Sequence, residues 1–348
     1  MRIAIVTDAW KPQVNGVAVT YENLGRQLEL LGHELRYIAP EEFRTMPCPS
    51  YPSIRLAIFP RLRIAKKLRE FAPQAIHVAT EGPLGHAARS YCLSHGLPFT
   101  TSFHTQFPEY IRLRAPVPVR WSYTYLRRFH GPARHTFVPT ESQRNKLLGK
   151  GFDNIVVVSR GVDTRLFKPA AKSFLDGPRP IFLYMGRVAL EKNIEAFLQL
   201  DLPGSKAVVG DGPDLERLRQ QYPAVLFTGF KFGAELSRHL AAADVFVFPS
   251  LTDTFGIVLL EAMACGLPVA AYPVTGPIDV VRNGVTGVLD DDLGKAARAA
   301  LALDPATCTA HARQYSWKAC AQVFLEHLAR ISPGREPSCL SASWSSLP

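Results

Sequence analysis

Short apolar runs alternate with segments of helical spacing along nearly the whole chain, and no other feature constrains its fold as much. The runs "RIAIVTD" (2–8), "LRYIAP" (35–40), "AIHVAT" (75–80), "FTTSFH" (99–104), "HTFVPT" (135–140) and "NIVVVSRG" (154–161) have the length of strands. Between the first two, Tyr21, Leu24, Leu28 and Leu31 recur at helical spacing before Gly32. Continuous apolar strands separated by helices predict a parallel sheet covered on both faces. The Pro-rich stretch "RLFKPAAKSFLDGPRP" (165–180) has no period. The alternation then restarts with "IFLYMGR" (181–187), "KAVVGDGP" (206–213), "VLFTGF" (225–230), "DVFVFPS" (244–250), "PVAAYP" (268–273) and "TGVLDDD" (286–292). The expectation is an α/β protein of two doubly wound, Rossmann-like domains, 1–170 and 176–312, facing a central cleft. The Ser/Pro-rich stretch 332–348 reads as a disordered tail. Ligands of such sheets bind outside the carboxyl ends of the strands, so the residues there matter most.

The 348 residues suffice for two domains, and 47% hydrophobic content is ordinary for a folded protein. No apolar run reaches the ~18 residues of a membrane-spanning helix. The first residues, "MRIAIVTDAW", read as a buried strand rather than a signal peptide. The six cysteines are scattered without a C-x-x-C, which suits free thiols in a reducing cytosol. Charge is lopsided: residues 1–172 carry 25 lysines and arginines against 12 acids, and residues 173–348 carry 15 against 18. The first half is therefore expected to meet something anionic, nucleic acid or lipid.

Three strand-end segments have phosphate-binding character. In "GRVALEKNI" (186–194), Arg187 and Lys192 are placed to clamp a diphosphate, or are two solvated surface charges. In "DAWKPQVNGVAVT" (8–20), Asn15-Gly16 offers positive φ and a close backbone approach, or a tight turn. The long loop with one glycine is not a G-x-G-x-x-G fingerprint, which counts against a nicotinamide-type first domain. In "PSLTDTFGIVLLEAMACGLPV" (249–269), Pro249 ends a strand and Phe255-Gly256 opens a helix, whose N-terminal amides and dipole favour an anion. Asp253 precedes that helix and Glu261 lies inside it. The two acids would accept hydrogen bonds from the sugar and the ribose flanking a bound diphosphate. Alternatively, Asp253 is a helix cap and Glu261 the partner of a nearby cation.

Taken together, "PQVNGV", "SFHTQFPEY", "RGVDTRLFKP", "GRVALEKNI", "VVGDGP" and "FGIVLLEAMACGLPV" resemble a retaining glycosyltransferase of the GT-B fold, family 4 type. That family includes phosphatidylinositol mannosyltransferases and sulfoquinovosyl- and glycosyl-diacylglycerol synthases. The resemblance runs to about residue 331. It implies an acceptor-binding first domain, a nucleotide-sugar-binding second domain, and a helix near 313–331 that packs back on the first. It places Gly16 against the donor phosphate and His104 near the donor sugar. It assigns the diphosphate to Arg187 and Lys192, the phosphate and sugar site to Phe255, Gly256, Ile257 and Val258, and the ribose to Glu261. Asp253 stands where the family's E-x7-E pattern has its first glutamate. No nucleophile is assigned: His104 positions and stabilises charge, and the leaving phosphate helps to deprotonate the acceptor. No cofactor or metal is expected. The "DDD" at 290–292 reads as a solvated loop.

"FPRLRIAKKLREF" (59–71) sets Arg61, Arg63, Lys66, Lys67 and Arg69 among apolar residues, a basic amphipathic segment suited to an anionic membrane surface or a solvated helix face. "RLRAPVPVRWSYTYLRRF" (112–129) mixes arginines with Trp121, Tyr123 and Tyr125, as interfacial segments do. No nucleic-acid-binding module is visible. The expectation is hexose transfer from UDP-glucose, UDP-glucuronate or GDP-mannose to a membrane lipid such as diacylglycerol, by an enzyme peripheral on the inner face of the cell membrane. The alternatives are a soluble or polyprenyl-linked saccharide acceptor, and a catalytically silent nucleotide-sugar-binding protein.

Overall fold

The computed structural model describes residues 1–334 except 12, 14, 49, 50 and 115–117. From residue 335 onward, the tail expected at 332–348 lies outside the described residues.

The first half carries β1 (Arg2–Val6), β2 (Glu34–Ile38), β3 (Thr45–Cys48), β4 (Tyr51–Ala57), β5 (Ala75–Val78), β6 (Thr100–Ser102), β7 (His135–Val138) and β8 (Ile155–Val157). Six of these form one sheet in the order β2-β1-β5-β6-β7-β8, parallel throughout. The second half carries β9 (Ile181–Met185), β10 (Ser205–Val209), β11 (Leu226–Gly229), β12 (Val245–Phe248), β13 (Val269–Ala271) and β14 (Gly287–Leu289). These form a second parallel sheet, ordered β11-β10-β9-β12-β13-β14. Each strand of the two sheets coincides with a run read from the sequence, with ends that differ by a few residues at most. The antiparallel hairpin β3–β4 was not foreseen. Its Pro47 and Pro52 obscure the alternation that marks a strand.

The continuous apolar runs are explained by burial on both faces. Ile3 and Ile5 of β1 pack with Tyr21, Leu24 and Leu28 of the helix Gly16–Leu30. Ala4 and Val6 point the other way, to Ile64, Leu68 and Leu84. In β9, Phe182 and Tyr184 serve one core and Ile181, Leu183 and Met185 the other. Fully burying a side chain of this size contributes about 1.5–3 kcal/mol.

The last helix, Trp317–His327, is capped by Ser316 and returns to the first half. Trp317, Cys320, Ala321 and Phe324 share one face and join the core of Ile3, Tyr21 and Phe137. Gly161 lets it come this close: a Cβ there would stand 2.3 Å from the Trp317 backbone nitrogen. Ile331 closes the return by donating its amide to the Gln74 carbonyl at 2.8 Å.

Candidate active site

In each sheet the strand order reverses once, between β1 and β5 and between β9 and β12. Such a reversal leaves a crevice at the strands' carboxyl ends. The segments after β6 and β7 in the first half meet those after β12 and β13 in the second. The Thr254 hydroxyl donates to the His104 carbonyl at 2.7 Å, and the Gln106 amide to the Asp253 carbonyl at 3.3 Å. The Thr140 hydroxyl donates to the Thr254 carbonyl at 3.3 Å. Asp279 accepts from the Ser142 amide at 2.9 Å and from its hydroxyl. The loop 253–254 is thus tied to the first half from both sides.

Across the second reversal, Lys192 Nζ donates to Asp253 Oδ1 at 2.6 Å. Lys192 ends a short 3-10 turn, Leu190–Lys192, after β9. Burial opposes its charge, but Asp253 and the hydroxyls of Tyr110 and Tyr184 outweigh burial and hold its pKa above the ordinary value. Asp253 Oδ2 is buried without a hydrogen-bond partner. Asp253 is not a helix cap: the cap of Ile257–Ala264 is Gly256, which makes no side-chain bond. Gly256 sits at φ 79°, where a Cβ would be strained and would press on Leu259 and Phe248. Its φ aims the chain into the helix, whose first amides lack intrahelical partners.

Glu261 projects from the first turns of this helix and is partly buried. Burial alone raises its pKa from 4.5 to about 7. Its carboxylate has no hydrogen bond or ion pair among the described residues, so the structure does not make it the partner of a cation. Arg187 follows β9, and its carbonyl accepts from the Tyr184 hydroxyl at 2.8 Å. The Phe255 side chain is buried in the core of the second half. Val258 packs on that same core, and Ile257 lies between it and the core of the first half.

Gly16 is the exposed first residue of its helix, and no other atom lies within 4 Å of where a Cβ would stand. Its φ is not left-handed, so the expected positive φ does not apply. Asn15 instead caps the helix, accepting from the Val17 and Ala18 amides at 3.0 and 2.9 Å. His104 follows β6, and both its ring nitrogens are engaged: Nε2 with the Tyr21 hydroxyl at 2.9 Å and Nδ1 with Arg160 at 3.1 Å. Burial, then Arg160, His77 and His130, hold its pKa well below 6.5, so the ring is neutral.

The basic helix Arg61–Phe71 also differs from expectation. Ile64, Ala65 and Leu68 pack into the protein core. Lys67 is held inward by Glu42 and is not a surface cation. Arg61, Arg63 and Lys66 are exposed, beside Phe59 and Leu62, which are 93% and 73% exposed. Arg69 is half-buried. Tyr123 is interior and donates to Glu109 at 2.8 Å, whereas Trp121 and Tyr125 are exposed. Residues 115–117 of the second aromatic-basic stretch lie outside the described residues.

Asp292 caps the helix Leu293–Ala300 and Asp290 pairs with Lys295 at 2.6 Å. Among the described residues, no group of three or more His, Cys, Asp or Glu side chains could hold a metal ion. No helix among them is long and apolar enough to cross a membrane.

Residues that sequence reasoning left without a role are Gln106, Tyr110, Arg160 and the Ser142–Asp279 pair. Tyr110 lies beside Lys192, Asp253 and Thr252, bringing a phenol from the first half to the acid–base pair of the second. The signal was there for three of them: Gln106 and Tyr110 fall inside "SFHTQFPEY", and Arg160 opens "RGVDTRLFKP".

Comparison with known proteins agrees with this geometry. The family described as "Glycosyltransferase Family 4" matches residues 14–166, and "Glycosyl transferases group 1" matches residues 179–303. A GDP-mannose-dependent alpha-mannosyltransferase of Mycobacterium tuberculosis is 30% identical over 83% of either chain. An alpha-monoglucosyldiacylglycerol synthase of Acholeplasma laidlawii is 26% identical over 77% of this chain and 79% of its own. The fold resembles that of Anabaena Alr3699/HepE, solved with UDP and glucose, with TM-score 0.68 and 16% identity over 93% of this chain and 98% of the other. Two Rossmann-like halves, an acid–lysine pair at the second crevice and these matches over most of the chain have one reading: the chain belongs to the family 4 glycosyltransferases of GT-B fold, enzymes that use nucleotide sugars.

Proposed function

We propose that this glycosyltransferase moves a hexose from a nucleotide diphosphate sugar to a hydroxyl of a membrane lipid such as diacylglycerol, with retention, giving an α-glycoside. The observation that carries the donor half of this reading is the crevice between β9 and β12. There Lys192 bonds Asp253 Oδ1 between the loops after β9 and β12, and Asp253 Oδ2 and the carboxylate of Glu261, on the helix that follows, have acceptor capacity unused by the protein.

In this reading the diphosphate sits at the helix N-terminus, held by Arg187, Lys192 and the backbone of Gly256 and Ile257. Glu261 accepts from the ribose and Asp253 from the donor sugar. Gly16 closes over the phosphate from the first half. The acceptor hydroxyl attacks the face from which the phosphate departs. The new C–O bond forms as the C1–O bond to phosphate breaks, and the leaving phosphate oxygen takes the proton. Protein groups chiefly stabilise the departing charge and position the acceptor. The reading calls on no metal and no cofactor.

The lipid acceptor is supported by the diacylglycerol synthase relative and by the exposed Phe59, Leu62, Arg61, Arg63 and Lys66. A basic surface with protruding apolar side chains suits the anionic inner face of the cell membrane. A second reading, mannosyl transfer from GDP-mannose, is favoured by the mannosyltransferase relative. One experiment separates them. Purified protein is incubated with UDP-glucose, UDP-glucuronate and GDP-mannose, each with diacylglycerol vesicles, polyprenyl-linked saccharide or soluble saccharide. Products are identified by mass and their anomeric configuration by NMR. An α-linked glycolipid is expected; product only on saccharide acceptors would overturn the lipid reading. No transfer or donor hydrolysis above background would leave a silent binding protein.

A further inference from the structure

Arg160 is 6% exposed, and no carboxylate pairs with it among the described residues. It follows β8, and its guanidinium donates to the Val158 carbonyl at 2.6 Å, the Ser159 carbonyl at 3.2 Å and His104 Nδ1 at 3.1 Å. Burying a cation without an acid is costly, so something other than stability accounts for its place. Its third contact is the informative one.

A guanidinium can only donate, so His104 Nδ1 must accept. The neutral ring then carries its proton on Nε2, and that N–H donates to the Tyr21 oxygen at 2.9 Å. Tyr21 in turn has its own proton for His77 Nε2 at 2.6 Å or the Ser102 hydroxyl at 2.9 Å. His77 is anchored through Nδ1 to the Thr100 hydroxyl at 2.9 Å. One buried charge therefore sets the direction of a chain that reaches from β8 across the ends of β6 and β5.

We propose that Arg160 is a positioning residue that fixes His104 as the uncharged Nε2–H tautomer at the mouth of the crevice. The proposal rests on the reading that His104 stands beside the donor sugar. Its consequence is that the imidazole cannot take the acceptor's proton, which is left to the leaving phosphate. The charged and titratable groups around the ring agree with this. Arg160 and the neighbouring His77 and His130 oppose a charge on it, Tyr21 is a neutral phenol, and Glu81 is engaged by His130 at 3.1 Å. Cys320, on the last helix, donates to the Ser159 carbonyl at 3.0 Å and is a buried thiol.

The test is NMR of the full chain labelled with 15N-histidine from pH 5.5 to 8, with His104 assigned by the signal lost in His104→Asn. In the wild type the ring should be a neutral Nε2–H tautomer that does not titrate in this range. In Arg160→Met, Nδ1 loses its donor, so the ring should mix tautomers or take up a proton toward pH 5.5. With the best donor, kcat should fall about tenfold at little change in KM and gain an acidic limb. Arg160→Lys, which keeps a charged donor, should retain the tautomer and recover most of kcat. A wild-type ring that is Nδ1–H or protonated at pH 7 overturns the proposal, and so does Arg160→Met with unchanged tautomer and kcat. Should Arg160→Met fail to fold, the wild-type spectrum and Arg160→Lys decide. Absence of transfer from every donor would count against the function proposed above, while the tautomer stands or falls on its own spectrum.

Discussion

Glu261→Gln separates the cost of a buried carboxylate from its use. Burial raises the Glu261 pKa from 4.5 to about 7 with no compensating partner. One pKa unit corresponds to about 1.4 kcal/mol, so keeping the side chain charged in the unliganded fold costs roughly 3 kcal/mol. Partial exposure reduces this to about 2 kcal/mol. The folded state holds this proton more tightly than the unfolded chain does. Stability tied to it is therefore present below about pH 4.5 and lost as pH rises through about 7. Glutamine has the shape of the protonated acid and does not titrate. Unliganded Glu261→Gln should match the wild type at the acid end and be more stable by about 2 kcal/mol above pH 8. Donor binding should show the opposite preference. A ribose that donates to the carboxylate favours its charged form, so wild-type affinity should rise from pH 6 to 8 with proton release. Losing a hydrogen bond to a charged group costs about 1.5–3 kcal/mol, so the variant should bind donor about 10- to 150-fold more weakly and without that pH dependence. Urea denaturation at pH 5, 7 and 9, and calorimetric titration with nucleotide in two buffers of different ionisation enthalpy, measure both. A variant no more stable than wild type at pH 9 would refute the desolvated carboxylate. Unchanged donor affinity would refute the ribose contact.

Arg187→Ala and Lys192→Ala should each lower turnover sharply, and Lys192→Ala should also destabilise the fold by stranding Asp253; full activity in both folded variants would remove them from the diphosphate site. Replacing Arg61, Arg63 and Lys66 with glutamine should weaken co-sedimentation with anionic vesicles by about 1 kcal/mol per cation at most, increasingly little at high salt, with donor hydrolysis in solution unchanged. Lys67→Gln should instead lower thermal stability through the lost Glu42 pair, and an equal effect of both changes on vesicle binding would contradict the inward pairing of Lys67 with Glu42. Asp279→Asn weakens the clasp on Ser142 and should open the cleft, visible as a larger radius of gyration by small-angle scattering; an unchanged radius would mean the other contacts suffice. Excess EDTA should leave turnover unchanged, and loss restored by a divalent cation would show that the diphosphate needs more positive charge than Arg187 and Lys192 supply.

Periodicity and strand-end position were enough to read both sheets, the break between them and the crevices where a ligand would lie. They reflect which residues leave water together, and that is written locally. The helix start at Phe255-Gly256 was legible for the same reason, because an apolar run behind a glycine is a local signal. The hairpin β3–β4 was not, since its prolines erase the alternation. The side-chain pairings were decided only by the tertiary structure. Lys192 and Asp253 are 61 residues apart, Arg160 and His104 are 56 apart, and Gln106 and Asp253 are 147 apart. The same is true of the direction in which a side chain faces. Phe255 turned into the core, Lys67 toward Glu42, and the Glu261 carboxylate was left without a partner among the described residues. A hydrogen bond or ion pair forms where two loops are brought within about 3 Å, and that distance is set by the packing of two sheets on their helices rather than by spacing along the chain.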